Sequence, residues 1–212
     1  MGLISHPVKL PNLVEQYNLK NFVESGTGSG DSMKVIVESG LFDNFHGIEL
    51  DKGMYDNLVD RFPDAVNFYN GYSKDEMSNV INNLDDSPTL FWLDAHFPGS
   101  DYQGLAYDSE KDDTKRIPLE VELGIISENR DISKDVIIMD DLRVYKDGPY
   151  ESGNVWKHRE TAGAKNCDFI EDLIGKTHIL IEHHRDQGYM IGYPIDSNEE
   201  DIRSTIVYED EY

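Results

Sequence analysis

An apolar strand that runs directly into alternating glycines leaves a chain few ways to fold. Residues 22–32, Phe-Val-Glu-Ser-Gly-Thr-Gly-Ser-Gly-Asp-Ser, are such a stretch. Gly26, Gly28 and Gly30 tolerate positive φ and let the backbone approach a ligand closely. The helical spacing that resumes at Asp31 begins with free N–H groups. An α/β protein brings its backbone against a nucleotide-like cofactor in this way. A pyrophosphate loop of the form Gly-x-Gly-x-x-Gly wants glycine where Asp31 stands, and an acid there disfavours two phosphates. The spacing that is present is Glu-x-Gly-x-Gly-x-Gly. Glu49 follows roughly twenty residues on, at the end of a second strand, where it can hold ribose hydroxyls.

The remaining chain alternates strand and helix. A helix or turn over Leu13 to Asn18 leads into a first strand, Leu19 to Glu24. The helix from Asp31 stops at Gly40, and Phe45 to Leu50 reads as the second strand. Met54, Leu58 and Phe62 lie on one face of a helix from Lys52 to Phe62, which Pro63 ends. A third strand, Ala65 to Tyr69, precedes an amphipathic helix, Lys74 to Leu84. The nearly unbroken apolar run Thr89 to Asp94 belongs in the middle of a sheet. Phe97 to Arg116 has no period and is a candidate lid. Ile117 to Asn129 is a helix with Pro118 in its first turn, and Asp135 to Met139 is a fifth strand. Leu142 to Lys165 reads as a second polar loop. A helix from Cys167 to Ile174 follows, then an antiparallel pair, Thr177 to His183 and Gly188 to Tyr193. In the acidic tail, Thr205 to Tyr208 has the composition of one more edge strand. The expected architecture is a single Rossmann-like α/β domain, residues 1–212. Its mostly parallel sheet carries helices on both faces and a C-terminal antiparallel hairpin.

Composition narrows the function. With 42 acidic and 19 basic residues the formal charge is −23, and phosphate contacts need concentrated Lys and Arg, so nucleic acid is not an expected partner. The one cysteine, Cys167, cannot form an intramolecular disulfide. The first eleven residues lack the pattern of a signal peptide, and no apolar run is long enough to span a bilayer. A soluble, cytoplasmic protein without membrane partners is expected.

Ligands of a doubly wound sheet sit beyond the carboxyl ends of its strands. Those ends are polar here: Glu24, then Glu49 and Asp51, Ser73, Asp94 and His96, and finally Asp140 and Asp141. The glycine loop with Glu49 resembles the fingerprint of class I S-adenosylmethionine-dependent methyltransferases. Gly47-Ile-Glu-Leu-Asp, Phe91-Trp-Leu-Asp-Ala-His, Pro118-Leu-Glu-Val-Glu-Leu and Ile137-Ile-Met-Asp-Asp look like the branch near macrocin and other sugar O-methyltransferases. The resemblance spans most of residues 22–141. It implies cofactor contacts from Glu24, Gly26, Thr27, Gly28, Gly30, Ser32, Glu49, Leu50, Tyr72, Ser73 and Asp94, with Glu24 near the methionine amino end. That group often ends its third strand in Gly-Asp-Ser. Here the residues are Gly71-Tyr72-Ser73, which leaves adenine to Tyr72 stacking or to a backbone amide.

In the sugar O-methyltransferase branch, the aspartates matching Asp94, Asp140 and Asp141 coordinate a divalent metal. Hard carboxylates suit Mg²⁺, which lowers the pKa of a bound hydroxyl. His96 could then take the acceptor's proton. The plainer alternative is that Asp140 and Asp141 cap a turn and His96 only hydrogen-bonds its loop. Glu120 and Glu122 read as exposed helix charges, Glu120 matching the family pattern. Tyr102, Tyr107, Tyr145 and Trp156 either cover an acceptor or pack their loops down. The expected activity is methyl transfer to a hydroxyl of a small molecule or glycan. A cofactor-binding protein without catalysis is the alternative. An NAD-dependent oxidoreductase or epimerase is disfavoured by Asp31 and by the lack of a Tyr-x-x-x-Lys pair, since Tyr145 and Lys146 are adjacent.

Overall fold

The apolar segments that end in acids are the strands. In the computed structural model, which describes residues 4–96, 110–154 and 166–208, β1 (Asn21–Ser25), β2 (Asn44–Glu49), β3 (Asn67–Asn70), β4 (Thr89–Leu93) and β5 (Val136–Met139) run parallel. The hairpin β6 (His178–His183) and β7 (Tyr189–Pro194) completes one seven-stranded sheet in the order β3-β2-β1-β4-β5-β7-β6. β7 is antiparallel to both β5 and β6. As the apolar run 89–94 implies, β4 is central, and every residue of β1 and β4 is buried.

Side chains alternate across a strand, and this divides the core in two. Phe22, Trp92, Ile138 and Tyr189 face one layer, with Leu13, Met33, Ile36, Leu58 and Ile202 from the helices α1 (Leu10–Tyr17), α2 (Asp31–Ser39), α3 (Lys52–Arg61) and α8 (Glu199–Thr205). Val23, Phe91, Leu93, Ile137 and Met139 face the other layer. There they meet Met77, Val80, Leu123, Ile126 and Ile170 from α4 (Ser73–Asn83), α6 (Leu119–Asn129) and α7 (Asp168–Ile174). The helix stops are local. Gly40 closes α2 at φ 63°, and the Asp51 carboxylate caps α3 by accepting from the Met54 amide at 2.8 Å.

Three expectations change. Within the stretch read as a loop to Arg116, Asp113–Arg116 forms the short helix α5, because Asp112 caps it and accepts from the Thr114 amide at 3.0 Å. Residues 97–109, including Tyr102 and Tyr107, lie outside the described residues, as do Trp156, His158 and Arg159. The second loop begins with a 3-10 turn, Leu142–Val144. Its Tyr145 and Tyr150 are buried, Tyr145 edge-on to Phe169 and Tyr150 against His184, so in these two the loop is packed down. The tail segment read as a strand forms none: Thr205 is the last residue of α8, and Ile206 makes only an isolated bridge to Val8. Asn198 caps α8 through the Asp201 amide, and the acids Glu199, Glu200 and Asp201 favour the positive end of its dipole. No helix among the described residues is long and apolar enough to cross a membrane.

Candidate active site at the carboxyl ends of the strands

The glycine stretch leaves β1 and turns sharply before α2. Gly26, Gly28 and Gly30 have φ of 74°, 59° and 77°, the left-handed region that disfavours other residues. Gly26 and Thr27 both donate their amides to the Ile48 carbonyl at 3.0 Å, which draws the loop onto β2. On the other side Gly26 abuts β4. A Cβ there would lie 2.5 Å from the Asp94 carbonyl oxygen. Glu49 fastens the loop, since one carboxylate oxygen accepts from the Gly28 amide and the other from the Asp51 amide, each at 2.7 Å. Burial pushes its pKa up, and these amide bonds offset the shift.

Glu24 and Ser25 point to opposite faces of the sheet. Both are buried, and the Glu24 Oε2, Ser25 Oγ and Thr27 Oγ1 atoms have no hydrogen-bond partner. Burial drives the Glu24 pKa well above the usual carboxylate range, and Asp94 adds to the shift while the Thr27 hydroxyl opposes it. Buried polar groups are nearly always satisfied, so the orphaned Glu24 and Thr27 oxygens beside the glycine loop mark a place shaped for a ligand, while Ser25 Oγ is orphaned on the opposite face. Asp31 is exposed at the start of α2, hydrogen-bonded by the Ser29 hydroxyl at 2.8 Å, and Ser32 is buried one residue on. Leu50 is half-buried, and its carbonyl accepts from the Asn70 side chain at 3.1 Å. Tyr72 precedes α4, with Lys115 Nζ 4.8 Å from its ring centroid and its hydroxyl 3.3 Å from Glu110. Ser73 is the first residue of α4 and is buried.

The ends of β4 and β5 bring Asp94, His96, Asp140 and Asp141 together. His96 Nε2 is 3.2 Å from both Asp94 Oδ1 and Asp141 Oδ2. Arg143 Nε donates to Asp141 Oδ1 at 2.7 Å, and the Asp141 amide donates to Asp140 Oδ1 at 2.7 Å. Asp141 itself sits at φ 57°, a left-handed conformation uncommon outside glycine. This arrangement bears on two expectations. Asp94 Oδ1 and both Asp141 oxygens are paired with His96 and Arg143, and Asp140 Oδ1 accepts the Asp141 amide. Among the described residues no group of three His, Cys, Asp or Glu side chains is arranged to hold a metal ion. The described residues thus do not show the expected Mg²⁺ site. His96 also differs from a neutral base: burial pulls its pKa down, but Asp141 and Asp94 outweigh this and raise it to about 10, so the imidazole is protonated at neutral pH.

The sequence reading missed Glu122. Glu120 is exposed, whereas Glu122 is 1% exposed on the inner face of α6. Burial pushes its pKa up to about 7 even though the Ser73 and Ser25 hydroxyls beside it favour the charged form, and its Oε1 has no hydrogen-bond partner. A signal was available: Glu122 shares the helical stripe of Leu119, Leu123 and Ile126, all buried. His183 ends β6 and His184 begins the hairpin turn, whose Gly188 carbonyl accepts the Leu142 amide at the end of β5. His183 Nε2 is 2.8 Å from the Val207 carbonyl.

No family model matches the chain, and no curated protein matches it in sequence. Solved structures do. A protein of Staphylococcus aureus described as a caffeoyl-CoA O-methyltransferase superposes with a TM-score of 0.58 at 18% identity, over 87% of this chain and 80% of that one. LepI in complex with SAM gives 0.53 at 13% identity, over 92% of this chain and 48% of that one. The O-methyltransferase NcsB1, from neocarzinostatin biosynthesis, gives 0.50 at 10%, over 88% and 53%. The chain thus spans about half the length of the last two. Strand order and these likenesses agree: the protein has the Rossmann-like fold of the class I S-adenosylmethionine-dependent methyltransferases.

Proposed function

We propose that this protein binds S-adenosylmethionine across the ends of β1, β2 and β4 and transfers its methyl group to a hydroxyl of a small molecule or glycan. The observation that carries the reading is the orphaned, acid-lined cradle at the glycine loop. Glu24 Oε2 and Thr27 Oγ1 are buried without partners, and the carboxyl of Glu24 suits the ammonium of an amino-acid ligand. The fold neighbours support it: LepI was solved with SAM, and NcsB1 with S-adenosyl-L-homocysteine and a dihydroxynaphthoic acid. Such a fold hosts many activities, so the site and not the fold names the chemistry.

When bound, the cofactor supplies an electrophilic methyl carbon on a sulfonium. The chain's own residues position and balance charge. Gly26 and Gly28 admit the donor's amino-acid arm against the backbone, and Glu49, held by two amides, is placed for ribose hydroxyls. Tyr72 and Ser73 border the adenine end. At the other side of the cleft Asp94, which His96 engages through Oδ1 alone, receives the proton of the acceptor hydroxyl on its other carboxylate oxygen. His96, bridging Asp94 and Asp141, fixes their orientation toward one acceptor oxygen. Asp141, with one oxygen on His96 and the other on Arg143, holds this end of the cleft in place.

Calorimetry with S-adenosylmethionine and with NAD tests the donor, and mass detection of methylated products across a panel of hydroxyl-bearing acceptors tests the transfer. Binding of the first ligand and not the second is expected, with methylated product from at least one acceptor. Failure to bind S-adenosylmethionine overturns the reading. Tight binding with no transfer across the panel would make the protein a cofactor-binding protein instead.

A further inference from the structure

The outer strand of the sheet, β6, pairs with β7 on one side and, among the described residues, with nothing on the other. The Ile195 amide donates to the Thr177 carbonyl. Alternation along the β6–β7 register then turns the amides and carbonyls of His178, Leu180 and Glu182 outward. At His184 this outer edge is closed, since its carbonyl accepts the Glu151 amide at 3.2 Å. The open stretch therefore runs from residue 178 to residue 182 and is centred on Leu180. A free edge is a template for another strand, and proteins blunt it with proline, lysine, a bulge or a cover. Among the described residues β6 carries none of these: it reads His-Ile-Leu-Ile-Glu-His, and its register with β7 is unbroken. On the face toward α8, Ile179 and Ile181 are only half-buried, and with Ile202, Ile206 and Val207 they line an open groove of about 680 Å³.

Charge decides what this edge takes. The chain carries −23 overall, yet both acids that line the groove have cations. Glu182 is 2.5 Å from Lys146 Nζ and 3.5 Å from His184 Nε2, and Glu199 is 2.7 Å from Arg203. A basic partner gains little here, whereas a second acidic chain can approach without meeting an unpaired acid. We propose that β6 joins β6 of a second copy of this chain, antiparallel across a two-fold axis at Leu180, so that one sheet continues through both copies. In this register Leu180 faces Leu180 of the partner subunit, and Ile179 faces Ile181 of the partner subunit, so apolar meets apolar on both faces. The two grooves merge on the α8 side. The two Glu182 carboxylates stand about 14 Å apart along the paired strands, beyond the Debye length of about 8 Å in physiological salt.

Sedimentation equilibrium of the purified full chain tests the proposal, with amide hydrogen exchange across a range of protein concentrations. A species of twice the chain's mass is expected. Its dissociation constant should fall about threefold or more from 0.05 to 0.5 M potassium chloride, because salt screens the repulsion between two acidic bodies. Exchange of the Leu180 and Glu182 amides should slow as concentration rises through that constant. Ile181→Lys places a charge on the groove face, a device of natural edge strands, and should give a monomer with the parent's circular-dichroism spectrum. Val35→Lys, at an exposed residue of α2, should leave the dimer intact. A parent that stays monomeric up to about 1 mM overturns the proposal. So does a dimer that fails to strengthen with salt, one whose β6 amides exchange equally fast at all concentrations, or a folded Ile181→Lys that still dimerises. Should Ile181→Lys fail to fold, exchange in the parent decides. None of these readouts needs a cofactor, so they stand or fall apart from the methyl-transfer reading.

Discussion

At the scale of single residues, the site depends on groups that do two things at once. Glu49 holds the glycine loop through the Gly28 amide and the start of α3 through the Asp51 amide. Its replacement by alanine strands the buried Gly28 donor, at about 1–3 kcal/mol. Urea unfolding should show that loss, and calorimetry should show at least a tenfold weaker Kd for S-adenosylmethionine. Gly26 is a sharper case. A methyl group there meets the Asp94 carbonyl at 2.5 Å on a backbone already at positive φ, so Gly26→Ala should abolish donor binding and lower stability by about 1–3 kcal/mol. Glu122 sets a pH dependence. Its pKa is raised from 4.5 to about 7 by burial, so its contribution to stability is full below pH 4.5 and is lost as pH rises through about 7. Urea unfolding at pH 5 and pH 7.5 should show a smaller decline for Glu122→Gln than for the parent. Glycines and Glu49 were legible because spacing along the chain encodes them. Glu122 was not, because two acids on one helix look alike until the helix is set against a sheet.

At the scale of elements, stability and binding are placed at opposite ends of the same strands. Below the amino ends of β4 and β5, Arg130 donates to Asp135 at 2.8 Å, to the Asp85 and Ser87 carbonyls and to the Thr89 hydroxyl, while Asp135 also accepts the Thr89 amide at 2.8 Å. Asp135 is 1% exposed, and Arg130→Ala leaves its charge buried and unpaired. A loss of about 3–5 kcal/mol is expected, read by denaturant unfolding, while the donor Kd at the far ends of the strands stays within about twofold. The alternation of strand and helix was readable from period and punctuation, as in the Gly40 stop and the Asp51 cap. The segment 205–208 was not, because its β-branched residues have strand propensity while the helix that Asn198 and the acids after it start takes Thr205 as its last residue. Capping chemistry decided that contest.

At the scale of the whole molecule, a charge of −23 on 212 residues works against compactness. Self-repulsion of this kind is screened by salt. The melting temperature should therefore rise as potassium chloride goes from 0.05 to 0.5 M. If screening recovers about 1 kcal/mol, the rise is about 2–4 °C for a chain of this size. The same surplus of acid reaches into the cleft, where Glu24, Glu49, Glu122, Asp94, Asp140 and Asp141 are matched within the cluster by His96 and Arg143. A cationic sulfonium with an ammonium arm complements that imbalance, and a pyrophosphate does not.

The order of strands and helices, the glycine loop and the acids ending the strands are properties of the sequence by itself. Hydrophobic period, glycine spacing and capping residues act over a few positions and need no tertiary partner to be recognised. The fate of each acid was decided only by the tertiary structure. Asp94 and Asp141 were read as ligands of a cation, and they became partners of His96 and Arg143 because the ends of β4 and β5 place those side chains within 3.2 Å. Glu122 became a buried group because α6 packs its apolar stripe onto the sheet face of Val23 and Phe91. Burial and charge pairing arise where distant segments meet, and that meeting is absent from any local stretch of sequence. The glycine loop could be read as a place for a ligand, but the groups that surround that ligand were set by how the sheet was assembled.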